Sequence, residues 1–256
     1  MIQKIITDKK RSIQHLYETH GLKTLKTKAE SLQTPPNTFL KALQTPGLSL
    51  IAEVKKASPS KGIIRHEFNP IELAKTFTTM GAHALSVLTE ENYFLGNPKY
   101  IQEIKTVTTL PILRKDFLTD PIQIYESKIL GADAVLLIKN ILSNEDCQTL
   151  IDLTHSLGMD ALIEVHTQQE LEEVLSLKNT PLIGINNRNL ETFEVDISLS
   201  LELAHHIPPQ ITKVAESGYT TKEQLDELTR HTINAVLIGE GLAVSPQLTP
   251  YWRNPS

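Results

Sequence analysis

Eight short apolar runs of strand length recur along the chain, at residues 48–53, 84–88, 111–113, 134–138, 161–165, 182–185, 212–215 and 235–238. Between them lie segments whose apolar positions have helical spacing, clearest at 70–80, 121–130, 145–157, 168–177 and 222–229. A strand followed by a helix rejoins a parallel neighbour through a crossover, so this alternation implies a parallel sheet. Three junctions read MGAHALSVL, LGADAVLLI and LGMDALIEV. Their glycines, Gly81, Gly131 and Gly158, stand where a helix stops in the left-handed conformation before the next strand. Eight such units close into a (β/α)8 barrel. An open doubly wound sheet would call for a G-x-G-x-x-G after the first strand, and the sequence has none there.

At 256 residues and 40% hydrophobic content, the chain can fill one large core. The expectation is a single α/β domain over 1–256, a TIM barrel at 47–256 preceded by an N-terminal helical extension at 1–46. That extension carries one or two amphipathic helices and a break at Thr34-Pro35-Pro36-Asn37. Its periodicity suits equally a lid over the barrel and a plug beneath it. The first twenty residues interleave charges with apolar positions, unlike a secretory leader, and no run approaches the roughly 20 apolar residues of a membrane span. With Cys147 as the one cysteine, no internal disulfide can form, which fits a reducing compartment. A cytoplasmic monomer that keeps off the membrane is expected.

Net charge is −5, and the basic residues are dispersed, which argues against nucleic acid as a partner. Local basic groups at Lys55–Lys56, Lys61, Arg65 and Arg114–Lys115 still leave room for a small anion. The nine histidines and Cys147 lack metal-ligand spacing, so neither metal nor cofactor is expected.

Barrel enzymes carry their chemistry at the C-terminal ends of the strands. The polar residues that end the apolar runs are Glu53 and Lys55 after the first, Lys115 after the third, Glu164 in the fifth, and Asn186 and Arg188 after the sixth. The seventh ends in Glu216-Ser217-Gly218 and the eighth in Gly239-Glu240-Gly241. Taken singly, each is an ordinary solvated strand end or half of an ion pair. Converging on one rim from five or more strands, they describe a catalytic ring. The glycines after the seventh and eighth runs let backbone N–H groups approach an anion, so Ser217, Gly218, Gly239 and Glu240 are candidate phosphate contacts, the last through its N–H alone.

The segments IAEVKKASPSKG (51–62), LRKDFLTDPIQIYESKILGADAVLLI (113–138), LIEVHTQQEL (162–171), IGINNRNLETFEVD (183–196), VAESG (214–218) and LIGEGL (237–242) follow one another in order across the barrel. Together they resemble the signature blocks of the indole-3-glycerol-phosphate synthases. The resemblance implies a lyase of tryptophan biosynthesis that closes and decarboxylates a phosphorylated anthranilate–ribulose adduct, without metal or cofactor. It implies Lys115 as general acid, Glu164 as general base and Glu53 as the carboxylate that tunes the lysines. Lys55 is implied at the substrate phosphate and as a second proton donor. Asn186 and Arg188 line the pocket, with Arg188 at the anthranilate carboxylate, alongside Ser58 and Glu216. Phe94 and Phe117 would clasp the aromatic ring.

The chain departs from the family pattern at Leu95 and Asn97 in YFLGNP, at Lys139 in LLIKNIL, and at Gly241. These departures bear on loop detail and pocket polarity. Two other classes of function fit a ring of this kind: a Schiff-base aldolase with Lys115 or Lys139 as nucleophile, and a silent barrel that only binds a phosphorylated metabolite. Phosphoribosylanthranilate isomerase, a sister barrel, expects a cysteine base on its first strand, where this chain has none.

Overall fold

The computed structural model describes residues 1–33, 35–244, 248 and 251–252. Thr34, the first residue of the expected break, lies outside them. Eight parallel strands close on themselves: β1 (Ser49–Val54), β2 (Ala84–Leu88), β3 (Ile112–Lys115), β4 (Ala134–Ile138), β5 (Asp160–Val165), β6 (Leu182–Asn186), β7 (Thr212–Glu216) and β8 (Ala235–Ile238). The eight apolar runs are therefore the eight barrel strands. Their residues are buried nearly throughout, as expected where a parallel sheet is covered on both faces.

Helices separate the strands: α4 (Pro70–Met80), α5 (Lys99–Lys105), α6 (Pro121–Leu130), α7 (Asn144–Ser156), α8 (Gln168–Ser176), α9 (Ser198–Ala204) and α10 (Lys222–Arg230), with a short α11 (Glu240–Val244) after β8. Their starts are written in the sequence. Asn69 caps α4 through its side chain, Asp120 and Thr221 form capping boxes on α6 and α10, and prolines open α4 and α6. The seven-residue α5 and α9 were not singled out, because so few apolar positions establish no period. A two-strand hairpin, Ala57–Ser58 against Gly62–Ile63, also escaped the sequence reading. The third run ends one residue before a charge, yet β3 continues through Arg114 and Lys115, whose backbone still pairs with β2.

The extension holds three helices instead of one or two, α1 (Ile2–Thr19), α2 (Leu22–Ser31) and α3 (Thr38–Leu43). It serves as both lid and plug. α3 closes the N-terminal end of the barrel, where its Phe39, Leu40 and Leu43 pack with Ile51, Leu113, Leu162 and Val214. The Leu40 N–H donates to Asp160 at the start of β5 (2.9 Å), and Gln44 donates to Thr212 at the start of β7 (3.3 Å). α1 lies at the opposite end. Its Lys9 pairs with Asp116 after β3 (2.6 Å), its Asp8 accepts from Tyr93 after β2 (2.6 Å), and its Tyr17 donates to Asp120 (2.9 Å).

Phe39 is fully buried at the centre of the plug. Phe39→Ala is expected to cost about 3–5 kcal/mol, measured by urea unfolding. A loss under about 1 kcal/mol would show that the plug unfolds independently of the barrel.

Candidate active site

Alternation along a strand sends every second side chain into the barrel. On β1, β3, β5 and β7 the inward apolar residues are Ile51, Leu113, Leu162 and Val214. Two residues further on, the same face carries Glu53, Lys115, Glu164 and Glu216. The register sets Lys115 beside Leu88, Glu164 beside Ile138 and Glu216 beside Asn186, so the charges come from alternate strands at one end of the barrel. A layer of aliphatic side chains thus supports a layer of charges at the C-terminal rim, of which Glu53, Lys115 and Glu164 line a cavity of about 660 Å³.

Lys115 stands at the centre of that layer. Its Nζ lies 2.7 Å from Glu216 Oε2 and 3.8 Å from both Glu53 Oε1 and Glu164 Oε2. Burial works against its charge, but Glu216, Glu164 and Glu53 outweigh burial and raise its pKa above the ordinary lysine value. Burial also works against Glu53, which Lys55 and Lys115 nevertheless hold below the usual carboxylate range. Lys55 is paired directly with Glu53.

The two remaining carboxyls diverge. Glu164 is held down at about 2 despite burial, chiefly by His166 beside it and then by Lys115. Glu216 is pushed up to about 7 by burial, with Lys115 opposing and Glu164 adding to the rise. Glu164 Oε2 and Glu216 Oε1 are buried without a hydrogen-bond partner.

The rim loops carry the rest. Glu90, at the end of β2, accepts from the backbone N–H groups of Asn92, Tyr93 and Phe94 (2.7–3.0 Å) and so fixes the loop that presents Phe94. Asp116 accepts from the Phe117 N–H (2.8 Å). The two rings face each other at the cavity mouth with centroids 6.2 Å apart. On the other side, the Asn186 side-chain oxygen accepts from Ser217 Oγ (2.9 Å) and from the Arg188 N–H (3.0 Å). Ser217 and Gly218 both take left-handed backbone (φ 68° and 95°), turning their amides at the rim. Gly218 also passes close to Val195 and Ile197: a Cβ there would stand 2.6 and 2.8 Å from their methyl groups. A bulky residue at Gly218 would thus strain the loop whatever its effect on an anion.

Of the site residues singled out from the sequence, all but Glu216 line this cavity: Glu53, Lys55, Ser58, Phe94, Lys115, Phe117, Glu164, Asn186, Arg188, Ser217, Gly218, Gly239 and Glu240. Glu216 lies directly beneath, in contact with Lys115. Glu240 turns its carboxylate to Lys61, which leaves its backbone N–H for a ligand. Lys139 is not at the site. It pairs with Glu173 on α8 (2.6 Å) and donates to Leu142 O, so this departure leaves pocket polarity untouched. Arg114, grouped with the local cations, points outward to Glu126 and Ser127. Asn97 accepts from the Lys99 N–H at the start of α5, a capping role.

Sequence reasoning missed His166, Glu90, Asp116 and the α1 residues Ile2 and Ile5, which reach the cavity wall. The capping signal Thr167–Glu170 could have drawn attention to His166, since it fixes the chain just past Glu164. Cys147 is buried in α7, its thiol pushed up to about 11 by burial, far from nucleophile chemistry. Among the described residues, no group of three or more His, Cys, Asp or Glu side chains is arranged to hold a metal ion, and no helix is long and apolar enough to cross a membrane.

A (β/α)8 barrel whose rim holds a buried, protonated lysine among carboxyls of contrasting acidity is an acid–base enzyme for an anionic substrate. The chain belongs to the indole-3-glycerol phosphate synthase family, whose model matches residues 2–253. It is 43% identical to the indole-3-glycerol phosphate synthase of Dehalococcoides mccartyi over 99% of this chain and 98% of the relative. It is 44% identical to that of Chloroherpeton thalassium over the same shares, and 50% identical to that of Legionella pneumophila over 80% of this chain and 78% of that one. Among solved structures, the N-acetylmannosamine-6-phosphate 2-epimerase of Clostridium perfringens matches with a TM-score of 0.57 at 18% identity, covering 79% of this chain and 93% of that one. A chain of the tryptophan synthase complex of Pyrococcus furiosus matches at 0.56 and 12%, covering 80% and 94%. These two share the fold.

The raised pKa of Glu216 means that the folded state holds a proton there which the unfolded chain has released above about 4.5. Stability from this proton is full below 4.5 and lost as pH rises through 7. Glu216→Gln is therefore expected to gain on the wild type in urea midpoint between pH 4.5 and 8. A difference between the two proteins that stays constant with pH would place the ionisation elsewhere.

Proposed function

We propose that this chain converts 1-(2-carboxyphenylamino)-1-deoxy-D-ribulose 5-phosphate to indole-3-glycerol phosphate, carbon dioxide and water, with the rim residues dividing the proton transfers between them. Membership of the family supports the reaction. The observation that carries the roles is the place of Lys115, an ammonium held charged by three carboxyls beneath the cavity. A charged lysine gives a proton and makes a poor Schiff-base nucleophile, so the site favours proton transfer over aldolase chemistry.

In the first half, the ring carbon bearing the carboxylate attacks the C2 ketone, and Lys115 protonates the ketone oxygen as it becomes a hydroxyl. Loss of carbon dioxide restores the aromatic ring. In the second half, the C2 hydroxyl leaves as water with a proton from Lys55, and Glu164 takes the proton from C1 to complete the indole. Glu53, between the two lysines, pairs with Lys55 and helps to raise the pKa of Lys115. Glu216 anchors Lys115 from below.

Arg188 pairs with the anthranilate carboxylate until it departs, Asn186 orients the same end, and Phe94 and Phe117 clasp the ring. The phosphate is held by Lys55 and by the backbone of Ser217, Gly218, Gly239 and Glu240, with Ser58 across the cavity. The burial of Ile2 and Ile5 against the cavity supports extension and barrel acting as one domain over 1–256. The reading includes a cytoplasmic monomer; the buried, unpaired Cys147 is consistent with a reducing compartment.

Lys115→Ala is expected to lower kcat by about 10² to 10⁴ while KM stays within a few-fold, read from the fluorescence of the indole product. Lys55→Ala is expected to raise KM as well, by losing a phosphate contact. The opposite split would exchange the two lysine roles, and a Lys115→Ala loss under about tenfold would move the acid to another residue.

A further inference from the structure

Two buried carboxyls face the same ammonium, and Lys115 lies nearer Glu216 (2.7 Å) than Glu164 (3.8 Å), so proximity to the lysine does not by itself make Glu164 the ionised one. Glu164 and Glu216 both touch Lys115, on adjacent sides of the barrel, and both leave an oxygen without a hydrogen bond. Like-charged neighbours sharing one cation do not both stay ionised, so something must select which one does. The selector lies behind Glu164; among the described residues, Glu216 has no ion-pair partner besides Lys115.

His166 is the first residue after β5, and its side chain is only 8% exposed. Its Nε2 lies 3.2 Å from Glu164 Oε1 and its Nδ1 lies 3.4 Å from Glu170 Oε2 on α8. The His166 backbone N–H donates to the same Glu170 oxygen (2.7 Å). The other Glu170 oxygen accepts from Asn140 after β4 (3.0 Å), so the carboxylate is fixed from three sides. The groups facing the imidazole are therefore Glu164 from its own strand and Glu170 from α8. Lys139, the cation nearest on the α8 side, is occupied by Glu173. Arg188, Glu191, Glu194 and Asp196, from the loop after β6, line the outer cavity that His166 also borders. Lys115 and Asn186 meet Glu164 from the interior side.

We propose that His166, anchored by Glu170, is a positioning residue that makes Glu164 and not Glu216 the proton acceptor of the site. Burial works against the charge of the imidazole, yet the flanking carboxylates of Glu164 and Glu170 raise its pKa to about 10, and it in turn holds Glu164 below the usual carboxylate range. Glu216, although 2.7 Å from Lys115, is pushed up to about 7 by burial, with Glu164 adding to the rise. The proposal rests on Glu164 being the base of the reaction described above.

The test uses the full-length chain labelled with 13C at the glutamate carboxyls, with the Glu164 resonance assigned by its loss in Glu164→Gln. In His166→Gln, Glu164 is expected to titrate at least about one pH unit higher than in the wild type. The single-turnover rate at pH 7 is expected to fall at least about tenfold with KM within about threefold. Glu170→Gln, which keeps the imidazole and removes its anchor, moves both readouts the same way by less, and it serves if His166→Gln does not fold. An unchanged Glu164 titration overturns the proposal, whether or not the rate or the melting temperature falls. Full turnover in Glu164→Gln would instead remove the base assignment, an outcome separable because the Glu164 titration is read independently of activity.

Discussion

A buried ammonium ringed by carboxyls is the interaction on which the rest of this molecule is arranged. Lys115 is tolerated inside a parallel barrel only because Glu216, Glu164 and Glu53 approach it from three other strands. That approach requires closure: in an open sheet, β1 and β3 would not meet β5 and β7 across an interior. Hydrogen-bonded register around eight strands brings the four together without a loop having to do so. The site is therefore as rigid as the sheet, and its charges stay where developing charge on a substrate will meet them.

The extension extends this logic to both ends. α3 fills the bottom of the barrel with Phe39, Leu40 and Leu43, which excludes water from beneath the aliphatic layer that carries the charges. α1 is tied to the top through Lys9, whose partner Asp116 also takes the Phe117 N–H and the Thr89 hydroxyl. Lys9 and Arg114 hold Asp116 below the usual carboxylate range against its burial. One carboxylate thus links the lid, the strand carrying Lys115 and an aromatic wall of the cavity.

How far this was visible in the sequence follows from what each signal depends on. Strand number and order were legible because strands buried on both faces read as short continuous apolar runs, and eight of them alternate with helical segments. Lys115, Glu164 and Glu53 were legible because charges ending several apolar runs converge on one barrel rim, within segments that resemble the family's signature blocks. Short helices such as α5 and α9 were not, since their boundaries depend on packing against β-strands distant in sequence. Lys139 and Arg114 looked like site cations because one residue of strand phase, which decides between cavity and outer face, turns on exact register. His166 was hidden for a different reason. Its role depends on Glu170, one helical turn away across a strand–helix junction, and the only mark of that contact in the sequence is the Thr167–Glu170 capping pattern, which reads first as a helix start.

The carboxylates of the upper layer fit because side chains are missing beside them. By alternation, Gly184 on β6 and Gly239 just past β8 face inward at the level of the charges. A Cβ at Gly184 would collide with Glu216 Oε1, and one at Gly239 with Glu53 Oε2. One layer lower, inward positions are filled by Leu113, Leu136, Leu162, Leu182 and Leu237, and the interior is solid. The barrel therefore changes character over a single pleat, from packed hydrocarbon to glycine and paired charge. Gly184 and Gly239 give up apolar burial to let two carboxylates lie flat against the wall, and the offset comes from Lys115 and Lys55, which those carboxylates reach. Restoring a methyl group at either position would push a carboxylate off its lysine, so in this fold the small residues of the upper layer are as much a part of the charge arrangement as the lysines are.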